Sequence, residues 1–259
     1  MTRKQSLFGA LLIAPLLLAQ VAFGQTSSAC AVTDTGAIKR ACYVVGDSAF
    51  VYGHGVLGDT DEWSAIALYK SQNQNALSAI PDAIITASPD HIFEDIAPRL
   101  FDITGDGQPE VIVVESQKSK GARLAIYSTT AQPKRIAATP YIGSANRWLA
   151  PIGFADFNND GDVDIAYVDR PHLAKILRVW TYKNAKLTET ANIDGLSNHR
   201  IGDNFISGGV RTCAGTPEII TADGGWKRII STRFENGALT KTDIGPYRNK
   251  SSFKRALTC

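Results

Sequence analysis

The sequence is short of the features that mark common chemistries. Its four cysteines include no Cys-x-x-Cys pair, which argues against zinc ribbons and thioredoxin-like redox sites. Gly-x-Ser-x-Gly, His-Glu-x-x-His and a glycine-rich phosphate loop are all missing. There is no long basic run, and no segment beyond the N-terminal one shows a helical period. Only one long apolar stretch occurs, from Leu7 to Phe23. Arg3 and Lys4 precede it, Gln20 interrupts it, and Ala22-Phe23-Gly24 offers small residues for cleavage before Gln25. Residues 1–24 therefore read as a secretory signal rather than a membrane anchor, and a secreted or periplasmic protein with no membrane span after cleavage is expected.

Removing those 24 of the 259 residues leaves 235. The formal net charge of +2 is supplied by Arg3 and Lys4, so the remainder balances 25 basic against 25 acidic side chains. A neutral chain without a basic stripe is a poor partner for nucleic acid. A hydrophobic fraction of 44% with 20% charged residues describes a folded protein, and residues 25–259 are expected to form one domain, a monomer. Export permits disulfides, and four cysteines allow three pairings. Cys30–Cys42, a local loop, and Cys213–Cys259, which ties down the last residue, are the favoured pair.

What is present is a repeat. Asp102-Ile-Thr-Gly-Asp-Gly-Gln-Pro-Glu110 precedes Val111-Ile-Val-Val114, and Asp156-Phe-Asn-Asn-Asp-Gly-Asp-Val-Asp164 precedes Ile165-Ala-Tyr-Val168, 54 residues later. Oxygen side chains fall at positions 1, 3, 5 and 9, glycine at 6, and a β-branched run follows. A degenerate copy ends at Glu218, 54 residues after Asp164, and another at Glu62, 48 before Glu110. A period near 50 with short strands indicates a propeller or solenoid. In one unit Trp148–Ala155, Val163–Val168, Lys175–Tyr182 and Leu187–Ile193 read as four strands, with turns at Asn184 and, in the next unit, Asn236-Gly237. The expected fold is all-β: a β-propeller of four-stranded blades, about four or five, with units near 46–95, 96–140, 146–194 and 201–245. The two termini would close the ring, latched by Cys213–Cys259.

Crowded oxygens at alternate positions repel one another unless a cation sits among them, and hard oxygen donors suit Ca²⁺. About two sites are expected. One would use Asp102, Thr104, Asp106, the Gln108 carbonyl and Glu110; the other would use Asp156, Asn158, Asp160, the Asp162 carbonyl and Asp164, with more carboxylates and tighter binding. An EF-hand or dockerin loop needs a ligand at position 12, where Val113 and Tyr167 stand, and a helix afterwards. The copies at Glu62 and Glu218 lack enough carboxylates and are expected to keep only the turn.

These loops resemble the FG-GAP/VCBS repeat, the unit of integrin α-subunit-type β-propellers. The resemblance extends through the four units, and its strong motif occurs twice. It implies a propeller with calcium in the strand 1–2 loops. The family spans adhesion, ligand binding and enzyme accessory domains, so it does not fix a function.

In such a blade the 1–2 and 3–4 loops lie on one face and the 2–3 and 4–1 loops on the other. The second face collects Arg147, Asp169, Arg170, His172, His199, Arg200 and Asp203, a candidate pocket with arginines for an anionic ligand. His54 falls near the calcium face and reads as structural, and Trp148, Trp180 and Trp226 read as packing. The expected function is a calcium-stabilised binding module for a protein or glycan, without catalysis. The alternative is an envelope hydrolase or lyase using the His172 and His199 loops.

Overall fold

The computed structural model describes residues 29–45, 52–58, 62–72 and 80–259. The signal segment lies outside the described residues. The chain is all-β apart from one short helix, and its strands form four antiparallel sheets in a propeller-like arrangement. The first sheet orders β1 (Cys30–Val32), β2 (Arg40–Val44), β3 (Ala65–Tyr69) and β4 (Ala83–Thr86). The second joins β5 (His91–Phe93) and β6 (Arg99–Phe101) to β7 (Glu110–Gln117), then β8 (Gly121–Tyr127) and β9 (Arg135–Ala138). The third runs β10 (Leu149–Ala155), β11 (Val163–Asp169), β12 (Ile176–Lys183) and β13 (Lys186–Asp194). The fourth sets β14 (Leu196–Ser197) and β15 (Gly209–Cys213) against β16 (Thr216–Asp223), followed by β17 (Arg228–Glu235) and β18 (Ala238–Pro246).

The continuous apolar runs are explained by burial on both faces. In β7, Val111 and Val113 pack toward the first sheet with Ile66, Leu68 and Phe93, while Ile112 and Val114 pack toward the third with Leu149, Ile165 and Tyr167. In β11, Ile165 and Tyr167 face the second sheet, and Ala166 faces the fourth with Leu177 and Ile219. A one-residue slip would send every side chain into the wrong seam, so register is tightly specified. By contrast β13 alternates between covered and exposed positions, as an outer strand should.

Hairpin turns match their residues. Asn184-Ala185 and Asn236-Gly237 both hold left-handed pairs (φ 52° and 57°; 51° and 80°), the backbone of a type I′ turn. Gly153 marks a register shift in β10, and a Cβ there would lie 2.7 Å from Val210 Cγ2, so the bare backbone lets the third and fourth sheets approach.

Three sequence expectations change. The first sheet takes β1 and β2 from residues 30–44, ahead of the unit drawn at 46–95, and β5 belongs to the second sheet. No helix was expected, yet α1 (Lys250–Ala256) forms. Asn249 caps it, accepting from Ser251 N at 3.0 Å, while the Ser252 hydroxyl accepts from Asn249 N at 3.4 Å. Its Phe253 fills the outer face of the fourth sheet against Ile220, Ala222 and Ile229. Finally, the C-terminus adds no closing strand. Cys213–Cys259 and Cys30–Cys42 are bonded as paired above, but Cys259 is tied to the end of β15, within the fourth unit. Among the described residues no hydrophobic cluster joins the fourth sheet to the first, which meet where Gly58 abuts Gly202. Among the described residues no helix is long and apolar enough to cross a membrane.

Candidate functional site

Antiparallel pairing sorts the loops to two ends. Leu149 pairs with Asp169 and Ala155 with Asp164, so the 156–162 loop sits at one end of the third sheet and the 170–175 loop at the other. Seven residues of β11 separate them, about 20 Å. At the second end lies a cavity of about 440 Å³. Its walls include His54, Arg147, Arg170, His172, Leu173 and Ile201.

Two histidine pairs organise this pocket. His172 Nε2 lies 2.9 Å from His199 Nδ1, and His199 Nε2 lies 2.8 Å from the Asp203 carbonyl. A carbonyl only accepts, so His199 Nε2 carries a proton and its Nδ1 accepts from His172 Nε2–H. Burial, then the neighbouring His199, pushes His172 down to about 4, and burial also lowers His199. Across the pocket, His54 Nδ1 is 2.6 Å from Glu94 Oε1, and Ser116 donates to Glu94 Oε2 at 2.5 Å. Burial raises the Glu94 carboxyl against these hydrogen bonds. Trp148, 2% exposed, donates from Nε1 to the Glu94 carbonyl at 2.7 Å and packs beneath both histidines of the other pair.

At the first end the two acidic loops repeat one construction. Asp102 accepts from the N–H groups of Gly105 (2.8 Å), Asp106 (3.2 Å) and Gly107 (2.8 Å); Asp156 accepts from Asp160 (3.0 Å) and Gly161 (2.9 Å). Asp106 and Asp160 each accept from the N–H two residues on, at 2.8 and 2.9 Å. The closing acids reach back: Glu110 accepts from Ile103 (3.0 Å) and Thr104 (3.3 Å), Asp164 from Phe157 (3.0 Å). Both loops turn through left-handed residues at positions 4 and 6, Gly105 and Gly107, then Asn159 and Gly161. Burial pushes Glu110 up to about 7, with Asp106 and Asp102 adding to the rise, and burial likewise raises Asp164.

Residues 102–167 match the family model of the FG-GAP-like repeat. The match spans both acidic loops and the strands between them. No curated protein matches the chain.

The acidic loops hold their carboxylates as turn-forming acceptors, and among the described residues no three His, Cys, Asp or Glu side chains are grouped as a formed metal site. The donor chemistry still fits a hard cation. Asp106 Oδ2 and Glu110 Oε1 take no hydrogen bond from the described residues, and the Thr104 hydroxyl is equally uncommitted. In the second loop Asn158 Nδ2 donates to Asp160 Oδ2 at 2.9 Å, and Lys183 holds the Asp162 side chain at 2.5 Å, leaving that residue's carbonyl for another role. Gln108 Oε1 accepts from Ala37 N at 2.7 Å, so its side chain ties the loop to the first sheet.

In the degenerate repeats the closing acid keeps a structural task. Glu62 accepts from Tyr52 N at 2.7 Å and from Gly53 N. Glu218, fully buried, accepts from Arg211 Nε (2.7 Å), Ser231 (2.8 Å) and Arg233.

Of the residues expected on the opposite face, Arg147, Arg170 and His172 line the pocket and His199 lies directly behind His172. Asp169 instead grips Arg170 (2.9 Å) and Arg178 (3.0 Å), and Arg200 stacks over Trp226 and pairs with Asp203 outside the lining. His54 is a correction. Strand order placed it near the acidic loops, but the 52–58 segment runs to the pocket end, where His54 meets Glu94. Gly53 and Gly55 around it were the available sign of an irregular path.

Proposed function

We propose that the protein is an exported, calcium-stabilised propeller-like module that binds a protein or glycan at the histidine-arginine pocket and does not catalyse a reaction. One observation carries the binding reading. Loops from several sheets converge on a concave pocket lined by histidine, arginine and apolar side chains, at the end of the strands away from the acidic turns. Both disulfides are compatible with an oxidising compartment.

Calcium is supported by the donor set and by its duplication. Asp102, Thr104, Asp106, the Gln108 carbonyl and Glu110 would hold one ion; Asp156, Asn158, Asp160, the Asp162 carbonyl and Asp164 would hold the other. The ion would neutralise acids that otherwise repel one another across each loop. Calorimetric titration with Ca²⁺ and thermal melts with and without chelator test this. A ligand at 100 times its Kd stabilises by about 2.7 kcal/mol. Asp160→Ala should remove most of the calcium-dependent rise in Tm and Asp106→Ala less. An unchanged melt in chelator, with no metal by elemental analysis, defeats the calcium assignment.

The paired histidines favour a second reading, an envelope hydrolase or lyase. A glycoside and ester screen with the wild type and a His172→Ala/His199→Ala variant separates the two. Turnover lost only in the variant would replace the binding reading.

A further inference from the structure

The hydrogen bonds around the pocket specify what it offers a ligand. The chain from the Asp203 carbonyl through His199 fixes the proton of His172 on Nε2, so His172 Nδ1 is a bare acceptor. It takes no hydrogen bond from the described residues and is left to the pocket. The His54 ring meets Glu94 through Nδ1, and its Nε2 has no partner among the described residues. The same lining holds Arg147. Arg147 spends a single N–H on the Asn146 carbonyl, at 3.0 Å, and has no carboxylate partner among the described residues. Arg170, by contrast, is engaged by Asp169 through Nε and Nη2. The rim is aliphatic, with Leu173 63% and Ile201 77% exposed, two of the few large apolar side chains left open to solvent. Trp148 also lines the pocket, but at 2% exposure and packed against both histidines it presents little open face.

We propose that the pocket binds the C-terminal carboxylate of a peptide that ends in an aliphatic residue. This inference rests on the binding reading above and names its ligand. Arg147 takes the carboxylate in a forked pair. His172 Nδ1 accepts the N–H of the last residue, and the terminal side chain lies between Leu173 and Ile201. An acidic sugar would satisfy Arg147 as well. However, it would leave an aliphatic rim against hydroxyls, so the complement of this pocket is a peptide end.

The test uses fluorescein-labelled hexapeptide pools with randomised internal positions and a terminal Leu, Ile or Val, as free acids and as amides. A third pool, also free acid, ends in Asp. Fluorescence anisotropy with the full chain should give at least about tenfold tighter binding for the free acids than for the amides. Arg147→Gln should abolish that difference, Arg147→Lys should restore part of it, and Leu173→Ser/Ile201→Ser should erase the preference for aliphatic over Asp ends. Urea midpoints equal to wild type certify that the variants fold. Equal binding of acid and amide, or no binding of either, overturns the proposal. A glycan bound on an array and lost in His172→Ala would also overturn it while leaving the binding reading intact. If neither peptides nor glycans bind, both readings fall.

Discussion

Glu218→Ala probes how the fourth repeat manages a buried charge at the position where its neighbours close their acidic loops. The carboxylate is fully buried and shared between Arg211, Arg233 and Ser231. Burial would raise its pKa, but the hydrogen bonds from Arg233, Ser231 and Arg211 outweigh this and hold it below the ordinary range. Truncation strands two guanidinium groups unequally. Arg233 is 43% exposed and can turn to water, whereas Arg211 is 15% exposed and is also bound to the Ala256 carbonyl at 2.7 Å. One buried cation is therefore left unpaired. Breaking a buried pair costs about 3–5 kcal/mol, and with a single stranded charge the lower end, about 3 kcal/mol, applies. For a chain of this size that is a fall in Tm of about 6–12 °C. Urea unfolding followed by tryptophan fluorescence measures it as a lower midpoint at constant slope. The loss should be the same in calcium and in chelator, since arginines serve this repeat. A loss below about 1 kcal/mol, or one seen only with calcium present, refutes the reasoning.

Two further outcomes follow from the same structure. The Cys213–Cys259 bond closes a loop of 46 residues and Cys30–Cys42 one of 12, so loop-closure entropy assigns them about 4 and about 3 kcal/mol. Cys259→Ser should destabilise more than Cys30→Ser in paired urea titrations, and an inverted order would show that strand pairing rather than loop length governs both. Folded His172 stays unprotonated down to about 4, while the unfolded chain takes up its proton near 6.5. The His172 contribution to stability should therefore fall as the pH drops across that window and be level above it, while Glu110, raised to about 7, contributes in the opposite sense. The slope is damped by solvent at this half-buried ring, and His172→Gln should flatten it. An unaltered slope in the variant would assign the pH dependence to other groups.

The strand-rich repeat was legible because its signals are local. Two acidic turns 54 residues apart, β-branched runs after them, and Asn turns between outer strands all act through backbone geometry that neighbours in sequence determine. The pairing of the His172 and His199 loops was legible because strand order alone delivers them to one end. Helix α1 was not, since seven residues with one apolar anchor, Phe253, cannot display a period. The partners of Glu218 were hidden for a related reason: Arg211 and Arg233 lie on strands either side of β16 and meet the carboxylate only after pairing. His54 was misplaced because the segment carrying it leaves the regular strand path, and alternation rules cannot follow it there.

Among the described residues the three apolar seams couple each sheet to the next one along the chain, and the outermost sheets are finished differently. The fourth is sealed by a helix stapled through Cys213, whereas the first leaves Val45, Ile80 and Ile84 in water. Opening events should thus begin at the N-terminal margin and travel inward, so amide hydrogen exchange would trace a gradient of protection rather than a uniform shell. An engineer seeking a longer-lived version would reinforce that margin and leave the far one alone.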